Sequence, residues 1–351
     1  MTASTTVEVS GSEELRALRS AVRAFLERHA PARSQLAADD AIWPMLTDQL
    51  GLTALPVAEL HGGASASFVE LAVVLEETGR VLLRAPYLST VVAATVLQEL
   101  GVTDLLPALA DGSTPVALAL AGSVRAEGNA LTGSCAQVVG ATADRLLLVG
   151  SDQGLHVIAG AAAGVRITEL KPLDGTRPQA RVDFDAATAR RVGDLADLSH
   201  TVDLLHVALA CESVGAAERC LEMTVEHLLV REQFGRPLGS FQALRHRIAD
   251  LTVQLEAARS VAWYASRAAA GRSDDLAVVA PLAQATCADA FTAIAGEGIQ
   301  LHGGIGFTWE HDAHLFFKRA WTTALLHGDP RALRRRAAAR AGILTEEKRH
   351  D

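Results

Sequence analysis

Three successive helical segments of about 30 residues each constrain the fold of this chain more than any other feature. They cover residues 200–231, 240–271 and 274–302, and each spans roughly 45 Å at about 1.5 Å per residue. Apolar residues lie on more than one face of these segments, so each helix has to pack against several neighbours. The pattern therefore predicts a bundle of long helices and favours an oligomer.

The rest of the chain divides into a helical region and a strand-rich region. After Ser12, a plausible N-cap followed by Glu13 and Glu14, apolar residues recur at three- and four-residue steps, which is typical of a helix. Between residues 116 and 185, short apolar runs bounded by Gly, Asp and Asn predict the strands of a compact β domain. We expect an α+β fold that is mainly α, with domains at 1–112, 113–190 and 191–351.

Composition excludes several classes of function. The formal net charge is -9 and the pI is about 5.7, which argues against a nucleic-acid or anionic-membrane partner, because either favours a basic face. The first residues resemble no signal peptide, and no run reaches about 18 uninterrupted apolar residues. The four cysteines are widely spaced without a CxxC, so we expect reduced, mostly buried side chains in a cytoplasmic protein.

The stretch REQFGRPLGSFQALRHRIADL (231–251) interrupts the helical pattern. Gly235 is suited to end a helix in the left-handed conformation, Pro237 cannot continue it, and Ser240 can cap the next helix. An arginine and amides on a rigid turn are a suitable clamp for the pyrophosphate and adenosine of a dinucleotide. The alternative is that the arginine only satisfies the carbonyls at the helix end. The polar and aromatic residues on this connection are Arg231, Gln233, Phe234 and Gln242.

A second motif, GEGIQLHGGIGFTWEHDAHLFFKRA (296–320), follows the third long segment. Gly303, Gly304 and Gly306 remove side chains, so that backbone N–H groups can approach phosphates. The motif does not follow a strand, so it is not a Rossmann fingerprint. Taken alone, it could equally be a helix break.

Two histidines and two carboxylates just after this turn suggest a metal site at first sight. Their spacing also suits an exposed helix start with capping carboxylates, and this is the interpretation we adopt. We therefore predict no metal here. The residues concerned are Glu310, His311, Asp312 and His314.

Both motifs closely resemble the two signature stretches of the acyl-CoA dehydrogenase family. The run LGLTALPVAELHGGASASFVELAVVLEETGR (50–80) is also similar to that family, so the resemblance covers nearly the whole chain. It implies a helical domain, a small β-barrel domain and a long four-helix bundle. It further implies an acyl-CoA substrate, FAD as cofactor, and an electron-accepting flavoprotein that reoxidises the flavin.

The resemblance also assigns roles to residues of both motifs. It implies that Arg231 reaches the FAD pyrophosphate, that Phe234 packs beside the cofactor, and that Gln242 lies near the adenosine. The resemblance also implies that Gln300 contacts the nucleotide and that the arm projects into the flavin site of a neighbouring subunit, as in that family. The full set of implied cofactor residues is Arg231, Gln233, Phe234, Gln242, Gln300, Gly303 and Gly304.

The sequence departs from the family at the catalytic base. Family members remove a proton alpha to the thioester carbonyl with a carboxylate while the flavin accepts hydride from the beta carbon. In many members this base is a glutamate before a glycine shortly after the second motif, but here His327 precedes Gly328. In others the glutamate lies early in the first long helix, where this chain has Leu205 beside His206. The remaining candidate bases are His327, Glu212 and His206.

A second departure lies in the β domain. Family members usually carry a Thr-Glu-Pro-x-x-Gly-Ser-Asp-like segment there, which meets the flavin ring and the substrate. This chain passes from PVALALAG directly to SVRAEGNALTGSCAQV and is shortened at that point. We therefore expect the chain's own flavin-ring site to be impaired, although the arm that serves a neighbour's cofactor is intact.

Three hypotheses follow. The chain is a self-sufficient homo-oligomeric dehydrogenase with an unusual base, or it completes the cofactor site of a homologous catalytic chain in a heteromer. Alternatively, it is a flavin-free scaffold or thioester-binding protein. The high arginine content against only three lysines suits a high-GC bacterial genome, in which family members often handle branched or sterol-derived thioesters. The asymmetry between an intact arm and a missing base favours the heteromer.

Overall fold

The computed structural model describes residues 13–37 and 41–343. The predicted helix after Ser12 begins at Glu13, with Val22 and Leu26 buried, whereas Ser12 itself lies outside the described residues. A Ser67–Glu70 capping box starts the helix that the pattern around residues 68–75 predicts. The helices of this region are α1 (Glu13–His29), α2 (Ile42–Pro44), α3 (Phe68–Arg80), α4 (Tyr87–Glu99) and α5 (Leu106–Ala110).

The middle region contains two four-stranded sheets that share a core. One sheet has the order β1-β4-β5-β8, in which only the β1–β4 pair is parallel, and the other has the order β2-β3-β7-β6. Leu131 and Phe184 of the second sheet pack with Leu147 and Ile158 of the first. The strands are β1 (Val116–Ala119), β2 (Ser123–Glu127), β3 (Ala130–Val139), β4 (Leu146–Ser151), β5 (Gly154–Ala159), β6 (Val165–Glu169), β7 (Gln179–Thr188) and β8 (Arg190–Gly193).

Five of these strands correspond to the apolar runs in the sequence, namely β1 and β3 to β6. The alternating strand β2 and the charged strands β7 and β8 were not predicted, because their exposed faces break up the apolar pattern. Only residues 120–122 join β1 to β2, which agrees with the shortened connection. The domain limits at 112 and 190 remain predictions, and β8 crosses the second of them.

Long helices dominate the remainder of the chain and confirm the predicted segments. The central helix is α8, which packs against α6, α7, α9 and α10. By length and composition alone, the stretch Leu276–Phe307 could cross a membrane, but half of it is buried inside the bundle and it serves as core. The bounds are α6 (Leu195–Val230), α7 (Gln242–Ala270), α8 (Leu276–His302), α9 (Ala313–Leu325) and α10 (Pro330–Arg340).

The connection between α6 and α7 differs from the predicted helix stop. Helix α6 ends at Val230, and the chain then forms a β-hairpin of β9 (Glu232–Gln233) and β10 (Arg236–Pro237). Phe234 and Gly235 form its two-residue turn with φ values of 53° and 74°, as a type I′ turn requires. Gly235 is therefore left-handed, but as a hairpin residue.

The predicted cap at Ser240 is wrong. Helix α7 begins at Gln242 after Phe241, and no side chain caps it. Ser240 lies in a short 3-10 turn, and its hydroxyl donates to the carbonyl of Pro237 at 2.7 Å. Because Phe241 occupies the N-cap position, Ser240 lies one residue too early to cap α7.

Two glycines let α3 and α6 approach closely. A Cβ on Gly79 would lie 2.0 Å from the carbonyl oxygen of Glu212, and one on Gly215 would lie 1.7 Å from that of Glu76. This contact fixes Glu212 against the N-terminal region. The four cysteines are buried and free, as their spacing predicted: Cys135, Cys211, Cys220 and Cys287.

Candidate cofactor site and central cleft

The hairpin after α6 presents the residues of the first motif to solvent. Arg231 is the exposed C-cap of α6, and its backbone N–H donates to the carbonyl of His227 at 2.9 Å. Phe234 at the tip is 91% exposed. Its ring meets Phe241 edge-on at 6.1 Å, and the guanidinium of Arg236 lies 4.0 Å above Phe241. The arm is therefore braced, although its tip is open to solvent.

The second motif forms a turn with an open backbone. Gln300 is exposed at the end of α8, and the 3-10 turn Gly303–Phe307 follows it directly. Gly303 has φ 64°, and a Cβ at Gly303 or Gly304 would meet nothing within 4 Å. A Cβ at Gly306 would instead lie 2.8 Å from the carbonyl oxygen of Ile299. Gly306 thus allows the turn to fold onto α8, while the first two glycines leave backbone accessible to a ligand.

The two motifs lie side by side at their bases. The rings of His227, four residues before Arg231, and His302, two residues after Gln300, are 4.6 Å apart between centroids. A guanidinium, neutral amides and open backbone beside one another suit an anionic dinucleotide. These residues therefore fit FAD, although their individual contacts with it remain predictions. The amides of Gln233 and Gln242 are likewise exposed.

The segment after the glycine turn starts a helix, as predicted, but no carboxylate caps it. Asp312 precedes α9 without a side-chain cap bond and instead pairs with Arg33 at 2.6 Å. The ring of His311 accepts the backbone N–H of Ala313 at 3.1 Å. The prediction that carboxylates cap this helix is therefore wrong, because Asp312 pairs with Arg33 and not with the first N–H groups of α9. Within residues 13–37 and 41–343, no cluster of three or more His, Cys, Asp or Glu side chains is placed to hold a metal.

A narrow cleft lies where the N-terminal helices, the sheets and the bundle meet. Its volume is about 60 Å³. Two of the candidate bases, Glu212 and His327, line it, and so does Leu205. The wall is mainly apolar and includes Leu83, Pro86, Leu88, Leu118, Val139, Leu209 and Leu326.

Four buried charged residues form a central ion cluster beside the cleft: Asp174, Arg177, Glu212 and Arg319. Glu212 forms an ion pair with Arg177, and its other oxygen lies 3.4 Å from Arg319. Arg319 donates to Asp174 at 2.8 Å and to the carbonyl of Leu82 at 3.0 Å. This cluster joins all three regions of the chain, since Leu82 is N-terminal and Asp174 follows β6.

Electrostatics in the central ion cluster match a structural role. Burial lowers the pKa of Arg177, although Glu212 opposes this effect. Burial disfavours the charge on Asp174, but Arg319 and a hydrogen bond from Thr176 outweigh it, so the pKa of this carboxyl lies below its usual value. Both carboxylates of the cluster therefore act as counter-ions to buried guanidinium groups.

The two candidate histidines lie close together. His206 is fully buried on α6, and its Nε2 lies 3.4 Å from the backbone oxygen of His327. Burial and the neighbouring His327 lower the pKa of His206 to about 3. Burial and the charge of Arg177 lower the pKa of His327 to about 4. Both imidazoles are therefore neutral at physiological pH, and of the two only His327 lines the cleft.

Sequence reasoning missed three of the four residues of the central ion cluster. Glu212 was a candidate base, whereas Asp174, Arg177 and Arg319 were not singled out. Their partners lie 35 to 145 residues away along the chain, so no local pattern reveals the pairing. The only local signal is the turn-like DGTRP segment (174–178), in which Asp174 accepts from the backbone N–H of Thr176 at 2.9 Å.

Replacing Glu212 with Ala should destabilise the protein strongly. The change leaves Arg177 without its paired carboxylate, and breaking a buried pair in this way costs about 3–5 kcal/mol. Urea unfolding followed by circular dichroism measures the change in the free energy of unfolding. Glu226→Ala on the same helix is the control, because that side chain is 63% exposed and pairs with Arg219 at the surface, where a pair contributes about 0–1 kcal/mol. Wild-type stability of Glu212→Ala would contradict the structural role.

Comparison with known proteins agrees with this architecture. Residues 198–342 match the acyl-CoA dehydrogenase C-terminal domain and residues 12–113 match the N-terminal domain. The chain is 38% identical over 343 residues to acyl-CoA dehydrogenase IpdE2 of Mycolicibacterium smegmatis, covering 93% of this chain and 99% of the relative.

Two solved structures are similar over nearly the whole chain. A variant of the steroid ACAD (acyl-CoA dehydrogenase) Tcur3481-Tcur3483 is 29% identical, with a TM-score of 0.87 and coverage of 94% of this chain and 98% of that one. The ChsE4-ChsE5 complex of Mycobacterium tuberculosis is 25% identical, with a TM-score of 0.86 and coverage of 96% and 99%.

A sheet-containing middle region between two helical regions, the second a bundle of long helices, is the architecture of a class of flavin-dependent oxidoreductase. The chain belongs to the acyl-CoA dehydrogenase family. Its cofactor is FAD, and the reaction of the family is oxidation at a CH–CH group. The predicted family, fold class and cofactor are thereby confirmed.

Proposed function

We propose that this chain is the cofactor-completing subunit of a heteromeric, FAD-dependent acyl-CoA dehydrogenase. Its arm closes the FAD site of a homologous chain, and that partner supplies the carboxylate that removes the alpha proton. The observation that carries the proposal is the ion pair of Glu212 with Arg177 beside a cleft of about 60 Å³. Among residues 13–37 and 41–343, Glu212 is the only carboxylate that lines the cleft, and it is already a counter-ion.

The size of the cleft supports this assignment. Pockets that enclose small-molecule ligands usually have about 300–1,000 Å³, and a flavin ring with a thioester beside it falls in that range. The corresponding region of this chain holds a buried ion cluster instead. Use of Glu212 as a base would require its pair with Arg177 to separate, which leaves Arg177 as a buried charge without its carboxylate.

The exposure of the arm supports the other half of the proposal. Arg231, Phe234 and Gln300 project into solvent from a braced hairpin and a helix end. In this position they are available to a second chain. The two similar solved structures are the steroid ACAD Tcur3481-Tcur3483, whose name joins two components, and the ChsE4-ChsE5 complex. These precedents favour a heteromer and a sterol-derived or branched acyl-CoA as substrate.

FAD, when bound, supplies the hydride acceptor for the beta carbon of the thioester. In our proposal the contribution of this chain is binding: the guanidinium of Arg231 neutralises the pyrophosphate and the amides of Gln242 and Gln300 hold the nucleotide. We infer an electron-accepting flavoprotein as a further partner of the assembly, which would take up the electrons of the oxidation. We place the reaction in the cytoplasm, because all four cysteines are free thiols.

A self-sufficient enzyme with His327 as base is the competing candidate, because this residue lines the cleft. We expect His327→Asn to keep the rate of acyl-CoA oxidation by the assembled pair within about threefold, because the base belongs to the partner. Asn is chosen since residue 327 has φ 58°, a conformation that Asn tolerates better than Ala. Rates measured from pH 5.5 to 8 should retain the wild-type profile. A loss of about a hundredfold or more, as for a missing general base, would assign the base to His327.

Expression of the chain alone and with a related chain that carries the carboxylate tests the proposal. Dye-linked oxidation of several acyl-CoA thioesters should appear only with the pair. A flavin-free pair would instead favour a scaffold or thioester-binding role. Ordinary turnover by the isolated chain would contradict the proposal.

A further inference from the structure

Three histidine rings form a stack at the base of the two nucleotide loops. The centroids of His227 and His302 are 4.6 Å apart, and those of His302 and His311 are 4.2 Å apart. His302, the central ring, is 5% exposed. The three rings come from the end of α6, the end of α8 and the segment before α9, so the stack joins elements that are distant in sequence.

Two residues of the stack, His227 and His302, belong to the segments that carry the two motifs. The backbone carbonyl of His227 accepts the N–H of Arg231, which is the residue that carries the arm's charge toward the ligand. His302 immediately precedes Gly303, and a Cβ on Gly306 would lie 3.1 Å from the Cβ of His302. The ring of His302 therefore lies between the end of α6, through its contact with His227, and the glycine turn.

Hydrogen bonding fixes the orientation of the central ring. The Nδ1 atom of His302 is 2.6 Å from the carbonyl oxygen of Gly298, so this nitrogen carries the hydrogen and donates. The buried Nε2 is then an acceptor, and it has no hydrogen-bond partner among residues 13–37 and 41–343. The stack thus includes a buried polar atom that packing alone does not explain.

We propose that His302 is a positioning residue for FAD: as the centre of the stack with His227 and His311, it holds Arg231 and the glycine turn in the spacing that a dinucleotide requires. This inference rests on the proposed role of the two loops in FAD binding. In this proposal Arg231 and Gly303 contact the ligand, and His302 acts on binding only through them. The stack accounts for three histidines that neither metal binding nor proton abstraction uses.

The stack should weaken in acid, because charged imidazoles repel one another. Burial is the main cause that lowers the pKa of both His227 and His311, and the neighbouring His302 is the second. His311 and Arg231 lower the pKa of His227 further. Protonation is therefore disfavoured while the rings are stacked, so the stack is strongest above pH about 6.5 and weakens as pH falls below that value. The other charged or titratable groups facing these rings are Arg33, Asp312 and His314.

Flavin retention by His302 variants tests the proposal in the purified assembly. The dissociation constant of FAD is measured by flavin fluorescence at pH 7.5 and at pH 5.5. We expect His302→Ala to weaken FAD binding about tenfold or more at pH 7.5, and His302→Phe to stay within about threefold, because Phe keeps the stacked ring. The loss of affinity between pH 7.5 and pH 5.5 should be smaller in His302→Phe than in wild type, since the electrostatic effect of His302 on His227 and His311 is then absent.

Two controls separate this proposal from the proposed function. His246→Ala removes an exposed histidine of α7 and should leave FAD affinity unchanged. Wild-type affinity and pH dependence in both His302 variants, with flavin lost from Arg231→Ala, would overturn the positioning role alone. Full flavin content in Arg231→Ala would instead remove the cofactor assignment of the arm. If His302→Ala does not assemble, unchanged acid sensitivity of His302→Phe still overturns the proposal.

Discussion

Assemblies that carry Arg231→Ala should lose their flavin during purification. The guanidinium lies at the exposed end of α6 beside a braced hairpin, and a charge-assisted hydrogen bond to a phosphate contributes about 1.5–3 kcal/mol. Loss of one such bond corresponds to about a 10- to 150-fold increase in the dissociation constant of FAD. The flavin-to-protein absorbance ratio and the fluorescence of released FAD measure the effect.

Two matched variants define the specificity of this effect. Arg231→Lys keeps the charge without the planar pair of donors, so its flavin affinity should lie between wild type and Arg231→Ala. Arg245→Ala removes another exposed arginine near the arm, which only donates weakly to the carbonyl of Ser240 at 3.3 Å. It should retain flavin. Equal flavin content in Arg231→Ala and Arg245→Ala would show that the guanidinium of Arg231 does not bind the cofactor.

Periodicity and motifs in the sequence predicted the helical architecture well. The apolar residues of α6, α7 and α8 recur over nearly 30 residues or more, and no short-range alternative competes with that signal. The hairpin between α6 and α7 was missed because its turn places Phe234 at φ 53°, where a non-glycine residue is uncommon. Gly235 signalled a left-handed residue correctly, but that signal is the same for a helix end and for a hairpin.

The central ion cluster could not be predicted from local pattern. Asp174, Arg177 and Arg319 are ordinary polar residues in the sequence, and they become partners only when the three regions pack together. Glu212 was visible as a carboxylate near a possible base position. Its pairing with Arg177, which decides between a base and a counter-ion, depends on tertiary structure.

The histidine stack has a similar explanation. His311 was visible in the sequence as part of a possible metal cluster, whereas His227 and His302 were not singled out. The three rings meet because the ends of α6 and α8 lie beside each other. Sequence spacing within one segment cannot reveal such a contact between segments.

Turnover should depend on a second, homologous chain. This chain has no carboxylate at Leu205 or His327, and its Glu212 is held by Arg177. A homo-oligomer would therefore contain several arms but no free carboxylate at these three positions. General base catalysis typically contributes about 10²–10⁴-fold, so the isolated chain should oxidise acyl-CoA thioesters at least about a hundredfold more slowly than the pair. Replacing the partner's active-site carboxylate with the corresponding amide should abolish the activity of the pair.

The number of FAD molecules per chain tests the central claim most directly. It is obtained from the flavin absorbance and the protein concentration of the purified, co-expressed assembly, with the mass of the assembly measured in parallel. One FAD for each pair of unlike chains is the result that we predict, because in our proposal this chain contributes only its arm to a flavin site, and its own cleft of about 60 Å³ lies beside the central ion cluster. A stable homo-oligomer of this chain with one FAD per copy and ordinary dehydrogenase turnover would contradict the account.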